Sequence, residues 1–386
     1  MAYSQPSVTV MAKLRVLFTT TSLSTSVVLE ETVPWGTVGE NPPPNATSPP
    51  RLSTTIYRRR TNRDVVAGTS DDNMEPMQTV FLVGPTAVGK SAVALEVAEA
   101  LDAEIVSADS MQVYRGMDIG TAKPTAAERA LMPHHLIDVC EVSDVFDAKQ
   151  FVELAGKAIT DIHSRGKTAL VVGGTGLYVR ALRHGLFEGP PRNAKLRARL
   201  EAMTAPQLFE ELQRVDPQTA KVIDRHNPRR LVRALEVFHQ TGKPISELQN
   251  EWAKDGPENE MSPIVCLNRT REDLHARIER RIDEQIAVGW VGEVRQLLTH
   301  GLEKNAIAMQ AAGYRELAAH LHGELPLDKA VTLIKTRTRQ LAKRQLTWFR
   351  REPQVNWIEI GRAETPFETA TRVLQVVQHK GNNSVS

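Results

Sequence analysis

The residues Phe81-Leu-Val-Gly-Pro-Thr-Ala-Val-Gly-Lys-Ser91 constrain this chain more than any other stretch. Gly84 to Ser91 reads G-x-x-x-x-G-K-S, with the apolar run Val80–Val83 before it and a helical pattern from Ala92 to Leu101 after it. Strand, glycine loop and helix in that order form a cradle for phosphate. Gly84 and Gly89 let the backbone turn tightly and bring its N–H groups to an anion. The dipole of the following helix adds favourable potential. Lys90 supplies a mobile positive charge and Ser91 a hydroxyl that can hold Mg²⁺. A ligand-free glycine turn is the bland alternative. The loop implies affinity for a di- or triphosphate, without saying which one or what is done to it.

Around this loop the chain alternates strand and helix. Thr79–Val83 is the first strand and Glu104–Ser107 the second. Ala148–Arg165 is a long amphipathic helix, and the fully apolar Thr168–Val172 reads as an interior parallel strand. Pro190 and Pro191 break the alternation, and from Lys195 to about Leu248 only helices are predicted, joined at Asp216-Pro217 and Asn227-Pro228. Strand character returns at Ile264–Leu267 and Val355–Ile360, with helices over Arg271–Ala287, Val291–His300 and Leu327–Arg350 between them. The expected fold is α/β, a P-loop NTPase-like parallel sheet flanked by helices, with a helical insertion domain. The core is expected over 77–189 and 261–363, the insertion over 190–260, and a C-terminal helix and tail over 364–386.

Residues 1–76 do not read as folded protein: 41–50 is Pro-rich, and Ser and Thr are abundant. The segment is expected to be disordered or to stem from a mis-assigned start, since Met74 and Met77 lie just before the first strand. No acidic residue precedes Glu30, as in an organelle transit peptide.

The net charge of +2 means that any polyanion site must come from local clustering. The two cysteines, Cys140 and Cys266, have no metal-ligand spacing and read as buried thiols in a reducing compartment. No apolar run is long enough for a membrane span.

Three further stretches carry chemistry. Asp109 follows the second strand, where a carboxylate can bind Mg²⁺ through water, act as a general base or merely cap a helix. Tyr114, Arg115 and Lys123 offer contacts to a base or to phosphates. Gly173-Gly-Thr-Gly-Leu-Tyr178 allows close backbone approach and presents Thr175. Basic residues cluster at Arg229, Arg230 and Arg233, and again at Lys335, Arg337, Arg339, Lys343, Arg344, Arg350 and Arg351, with no acid in the second run. A helix of one sign points to an anionic partner, unless acids elsewhere in the fold pair with it. Ile334, Leu341 and Trp348, seven residues apart, read as core.

Together these residues resemble the tRNA dimethylallyltransferase (tRNA isopentenyltransferase) family. The likeness rests on GPTAVGKS at 84–91, DSMQVYRGMDIGTAKP at 109–124, GGTGLY at 173–178, NPRRLVRALEV at 227–237, QAAGYRE at 310–316 and TRQLAKRQLTWFR at 338–350. The resemblance implies dimethylallyl diphosphate rather than ATP on the loop, and as acceptor the N6 amine of adenosine 37 in the tRNA anticodon stem-loop. It makes Asp109 the general base and Thr175 a catalytic residue beside the reacting centre. Gly84, Pro85, Thr86, Ala87, Val88, Gly89, Lys90, Ser91 with Mg²⁺, and Arg233 would hold the diphosphate. Contacts to tRNA are implied for Asp109, Ser110, Met111, Gln112, Thr175, Arg197, Arg229, Arg230, Leu231, Val232, Arg233, Gln310, Ala311, Ala312, Gly313, Tyr314 and Arg315. Ala312 stands where many members carry a larger aliphatic residue. The C-terminus lacks the zinc finger of eukaryotic members, which favours a bacterial enzyme over one with a transit peptide; a cytoplasmic location is expected, and a monomer, since no apolar surface helix is left unexplained.

Three other readings compete. An isopentenyltransferase acting on free adenine nucleotides would need neither the helical insertion nor the basic helix. A P-loop kinase or ATPase would need an apolar strand ending in a metal-binding Asp, a role only Asp109 could fill. A non-catalytic RNA-binding module would leave the loop and Asp109 without a purpose.

Overall fold

The computed structural model describes residues 16–21, 24–29, 79–186, 189–254 and 262–382. The chain divides into two units, Met1–Asn73 and Met74–Ser386. In the first, β1 (Val16–Thr21) and β2 (Ser24–Leu29) pair antiparallel, with Val16 opposite Leu29. The rest of the segment expected to be disordered lies outside the described residues.

The second unit is built on a six-stranded sheet of β3 (Thr79–Val83), β4 (Ala103–Ala108), β5 (His134–His135), β6 (Thr168–Gly173), β7 (Ile264–Asn268) and β8 (Asn356–Glu359). All neighbours are parallel, in the order β5-β4-β6-β3-β7-β8. The loop-bearing strand β3 is thus central, which explains why Thr79-Val-Phe-Leu-Val83 is buried at every position. A strand covered on both faces has no polar side to show.

The helices are α1 (Lys90–Ala100), α2 (Ala126–Leu131), α3 (Ala148–Ser164), α4 (Gly176–His184), α5 (Ala194–Glu201), α6 (Ala205–Val215), α7 (Pro217–Val222), α8 (Pro228–Thr241), α9 (Ile245–Lys254), α10 (Arg271–Ala287), α11 (Trp290–Thr299), α12 (Tyr314–Leu321), α13 (Leu327–Phe349) and α14 (Pro366–Asn382). Local chemistry sets several starts. Asp147 and Gln150 form a capping box on α3, and Asn227 accepts from Arg230 N–H ahead of Pro228 in α8. The strand β5 and the short helices α2 and α12 were not read from the sequence. β5 has two residues and α2 six, too few to show a period.

Helices α5 to α9 form the expected insertion, with a core of their own that includes Leu200, Leu208, Leu212, Leu231 and Leu235. Asp216 ties it together, accepting from Thr219 N–H at 3.0 Å and from the Ser246 N–H and hydroxyl at 3.0 and 2.7 Å. Desolvation alone would raise its pKa, but these bonds hold the carboxyl below its ordinary value. Arg229 reaches from α8 to Gln310 of the main body at 3.2 Å.

Candidate functional site

The carboxyl ends of β3, β4 and β6 open into a cleft of about 370 Å³. Its floor is the loop after β3. Gly84 has φ +148°, and a Cβ there would stand 2.6 Å from the Leu267 carbonyl oxygen, so glycine is obligatory. Lys90 folds back over the loop and donates to the carbonyls of Gly84 and Pro85 at 2.9 and 2.8 Å. Its ammonium is desolvated, which lowers its pKa to about 8 against the pull of Asp109, with Arg281 adding to the depression.

Asp109 and Gln112 line the same cleft. No helix starts at Asp109; its Oδ1 accepts from Met111 N–H at 2.8 Å, so it closes a turn rather than capping a helix. Thr175 holds that turn from β6's side, its Oγ1 accepting from Ser110 N–H at 3.1 Å.

Helix α10 brings residues that the sequence reading did not single out. Arg277 and Arg281 are one helical turn apart on the same face. Arg281 donates to the Thr86 hydroxyl at 2.7 Å, and Arg277 Nε to the Ala87 carbonyl at 2.9 Å. Arg269 fixes the loop from behind through the Val88 carbonyl at 2.9 Å. Burial pushes the Arg277 and Arg281 guanidinium groups below their ordinary pKa. Arg281 Nε is buried with no hydrogen-bond partner among the described residues. Gln345 of α13 ties the loop to the glycine turn, its Oε1 accepting from Thr86 N–H at 2.8 Å and its Nε2 donating to the Gly174 carbonyl at 3.0 Å. For the arginines the only sequence signal was the i, i+4 spacing of Arg277 and Arg281, which is ordinary on a surface helix, whereas Gln345 lies within the 338–350 stretch.

Desolvated cations, an orphaned guanidinium N–H and loop amides make a site for a polyanion. Ser91 and Asp109 line the cleft as hard oxygen donors, which suits Mg²⁺ bound largely by water and phosphate oxygens. Among the described residues no cluster of three or more His, Cys, Asp or Glu could hold a metal by itself. Beyond Asp109 a smaller chamber of about 80 Å³ continues between Thr86, Arg281, Ile282, Trp290, Ala312 and Leu341.

Other expected residues sit elsewhere. Arg233 does not line the cleft; it bonds Glu236 at 3.0 Å and the Pro190 carbonyl at 3.1 Å. Arg197 pairs with Glu201 at 3.0 Å and approaches Glu236 at 3.6 Å. Arg229, Arg230, Gln310 and Arg315 are exposed. Leu231 and Val232 are buried in the insertion core, and Ala311, Gly313 and Tyr314 are also buried. Lys123 is not a free contact for phosphate: its buried ammonium binds Asp118 at 2.5 Å and Asp138 at 2.6 Å. Tyr114 is buried as well, and Arg115 pairs with Glu141 at 2.5 Å.

The basic run on α13 has partners on neighbouring helices. Lys335 meets Asp283 at 2.7 Å, Arg339 meets Glu279 at 2.6 Å, and Arg337 pairs with Glu316. Lys343 and Arg344 are exposed, with no acid within 4.0 Å among the described residues. Ile334 is core, and Leu341 lines the chamber.

The IPP transferase family model matches residues 112–352. A protein of Syntrophobacter fumaroxidans named tRNA dimethylallyltransferase is 47% identical over 288 residues, 73% of this chain and 84% of the relative. One of the same name from Geobacter metallireducens is 48% identical over 295 residues, covering 74% and 93% of the two chains. The full-length tRNA isopentenylpyrophosphate transferase of Bacillus halodurans superposes with a TM-score of 0.59 at 36% identity, over 80% of this chain and all of that one. A eukaryotic dimethylallyltransferase acting on tRNA gives a TM-score of 0.63 at 29% identity, over 73% of each chain. With a family model spanning more than half its length and relatives near half identical, this chain belongs to the IPP transferase family.

Proposed function

We propose that this enzyme transfers a dimethylallyl group from dimethylallyl diphosphate to the N6 amine of adenosine 37 in tRNAs reading codons that begin with U. The products are N6-isopentenyladenosine and diphosphate. The carrying observation is that Lys90, Arg277 and Arg281 share one cleft with the carboxylate of Asp109. The cations suit a leaving diphosphate, and the carboxylate suits an amine that must lose a proton.

The loop N–H groups, Lys90, Arg277 and Arg281 would bind the diphosphate and absorb the charge it gains on leaving. The exocyclic amine of adenine is a poor nucleophile, so Asp109 takes its proton as the new C–N bond forms. The allylic C–O bond breaks in the same step and its electron pair leaves with the diphosphate. Thr175 and Met111 N–H orient the turn that carries Asp109. Mg²⁺, held by Ser91 and phosphate oxygens, would offset part of the diphosphate charge. The adenine must leave its stack to reach the cleft. Arg229, Arg230, Gln310 and Arg315 are exposed and suited to the RNA around it. Among the described residues no helix is long and apolar enough to cross a membrane, and a cytoplasmic monomer fits the reading.

Labelled dimethylallyl diphosphate, incubated separately with tRNA, AMP and ATP, tests the proposal. Label is expected in tRNA alone. Label in AMP or ATP instead would support the free-nucleotide reading, and no transfer to any acceptor would overturn the activity.

A further inference from the structure

The loop from Asp118 to Ala122 forms one wall of the site: Thr121 and Ala122 line the cleft, and Gly120 and Thr121 line the chamber beside Asp109. This wall has no regular secondary structure of its own to hold it. Its fixture is a carboxylate outside the cleft, Glu293 on α11.

Glu293 Oε2 accepts from Asp118 N–H at 2.9 Å and Ile119 N–H at 2.5 Å. Its Oε1 accepts from Gly120 N–H at 3.2 Å and from the Tyr314 hydroxyl at 2.7 Å. Three successive backbone N–H groups on one carboxylate form an anion nest, here occupied by a side chain. Four donors match the acceptor capacity of an ionised carboxylate. One turn earlier on the same face of α11, Trp290 packs so closely on the loop that a Cβ at Gly120 would stand 2.2 Å from its Nε1. From the C-terminal part of α10, Gln285 Nε2 donates to the Ile119 carbonyl at 2.5 Å. The loop in turn holds the general-base segment, since Gln112 Nε2 donates to the carbonyls of Thr121 and Ala122 at 3.3 and 3.4 Å.

We infer that Glu293 is a positioning residue for the transfer reaction: by binding the N–H groups of Asp118, Ile119 and Gly120 it fixes the cleft wall against which the prenyl donor and Asp109 are aligned. It lines neither the cleft nor the chamber. The inference rests on the transfer reaction proposed above.

The test is Glu293→Gln, which keeps shape and removes the charge that three N–H groups share. Expected are a kcat lower by roughly 10- to 100-fold, the range for small misplacements of reacting groups, a raised KM for dimethylallyl diphosphate, and an unchanged Kd for tRNA. Hydrogen exchange is expected to quicken at the amides of Asp118, Ile119 and Gly120 while the sheet stays protected. Wild-type enzyme assayed alongside separates the two ideas: absence of transfer by wild type would sink the activity, whereas the exchange measurement reads the anchoring regardless. If Glu293→Gln does not fold, Gln285→Ala, which loosens the same loop through Ile119, is expected to shift kcat and exchange in the same direction. Unchanged exchange at residues 118–120, or a folded Glu293→Gln with wild-type kcat and KM, would overturn the inference.

Discussion

Thr175 Oγ1 accepts a hydrogen bond from the backbone N–H of Ser110 at 3.1 Å, tying the glycine turn after β6 to the turn that presents Asp109. This bond gives Thr175 a task that needs a hydroxyl and not a particular size. Thr175→Ser is expected to stay within a few-fold of wild-type kcat. Thr175→Val, equal in shape but without the acceptor, is expected to lose roughly tenfold or more, as misoriented catalytic groups do. Steady-state kinetics of the two variants check this; a Thr175→Val variant with wild-type kcat would mean that the bond does not matter.

Asp109→Asn can still accept from Met111 N–H, the bond that Asp109 Oδ1 makes at 2.8 Å, but cannot take a proton. Single-turnover transfer is expected to slow by roughly 10² or more, a general-base contribution, with little change in melting temperature or tRNA affinity. A fully active Asn variant would end the general-base assignment.

The Lys90 ammonium, lowered to about 8 chiefly by desolvation, predicts a pH dependence. Affinity for dimethylallyl diphosphate is expected to fall as pH rises through about 8, where the free enzyme loses this charge. The effect on folding has the opposite sign. Between about 8 and the ordinary value of 10.5 the unfolded chain holds a proton that the folded chain has released, so this group's contribution to stability rises with pH. Calorimetric titrations on both sides of pH 8 should show the inflection in wild type and not in Lys90→Ala, which binds weakly throughout.

Lys343 and Arg344 of α13, exposed and with no acid within 4.0 Å among the described residues, are placed to meet RNA phosphate. Replacing both with Gln is expected to raise KM for tRNA more than for dimethylallyl diphosphate. The log–log salt slope of tRNA binding should become shallower by about 1 to 2 units, close to one per lost contact. An unchanged slope would make this stretch a solvated face only.

The unit Met74–Ser386 contains the sheet, the insertion and the cleft. Removing residues 1–73 is therefore expected to leave solubility and kcat/KM for tRNA within about twofold, since truncation matters mainly where buried backbone is lost. An insoluble or inactive truncated protein would refute this.

The phosphate loop, the strand–helix alternation and the helical insertion were legible in the chain because each is written in neighbouring residues. Gly84 to Ser91 is one turn followed by one helix, and a buried strand shows itself as an unbroken apolar run. The Asp109 and Thr175 stretches were legible for the same reason, as polar and glycine residues directly after strands. What could not be read was which distant side chains meet them. Arg281 reaches Thr86 across 195 positions and Gln345 reaches it across 259, and nothing local marks either as different from a surface cation or amide. The α13 run looked unbalanced because its acids, Glu279, Asp283 and Glu316, lie on other helices. Arg233 and Lys123 looked available for phosphate, yet Glu236 and the pair Asp118 and Asp138 bind them. Sequence thus determined the loop and the turns, since backbone conformation follows from adjacent residues. Only the tertiary structure decided the charge balance of the cleft, because Coulomb interactions depend on distance in space and on burial, which folding alone sets.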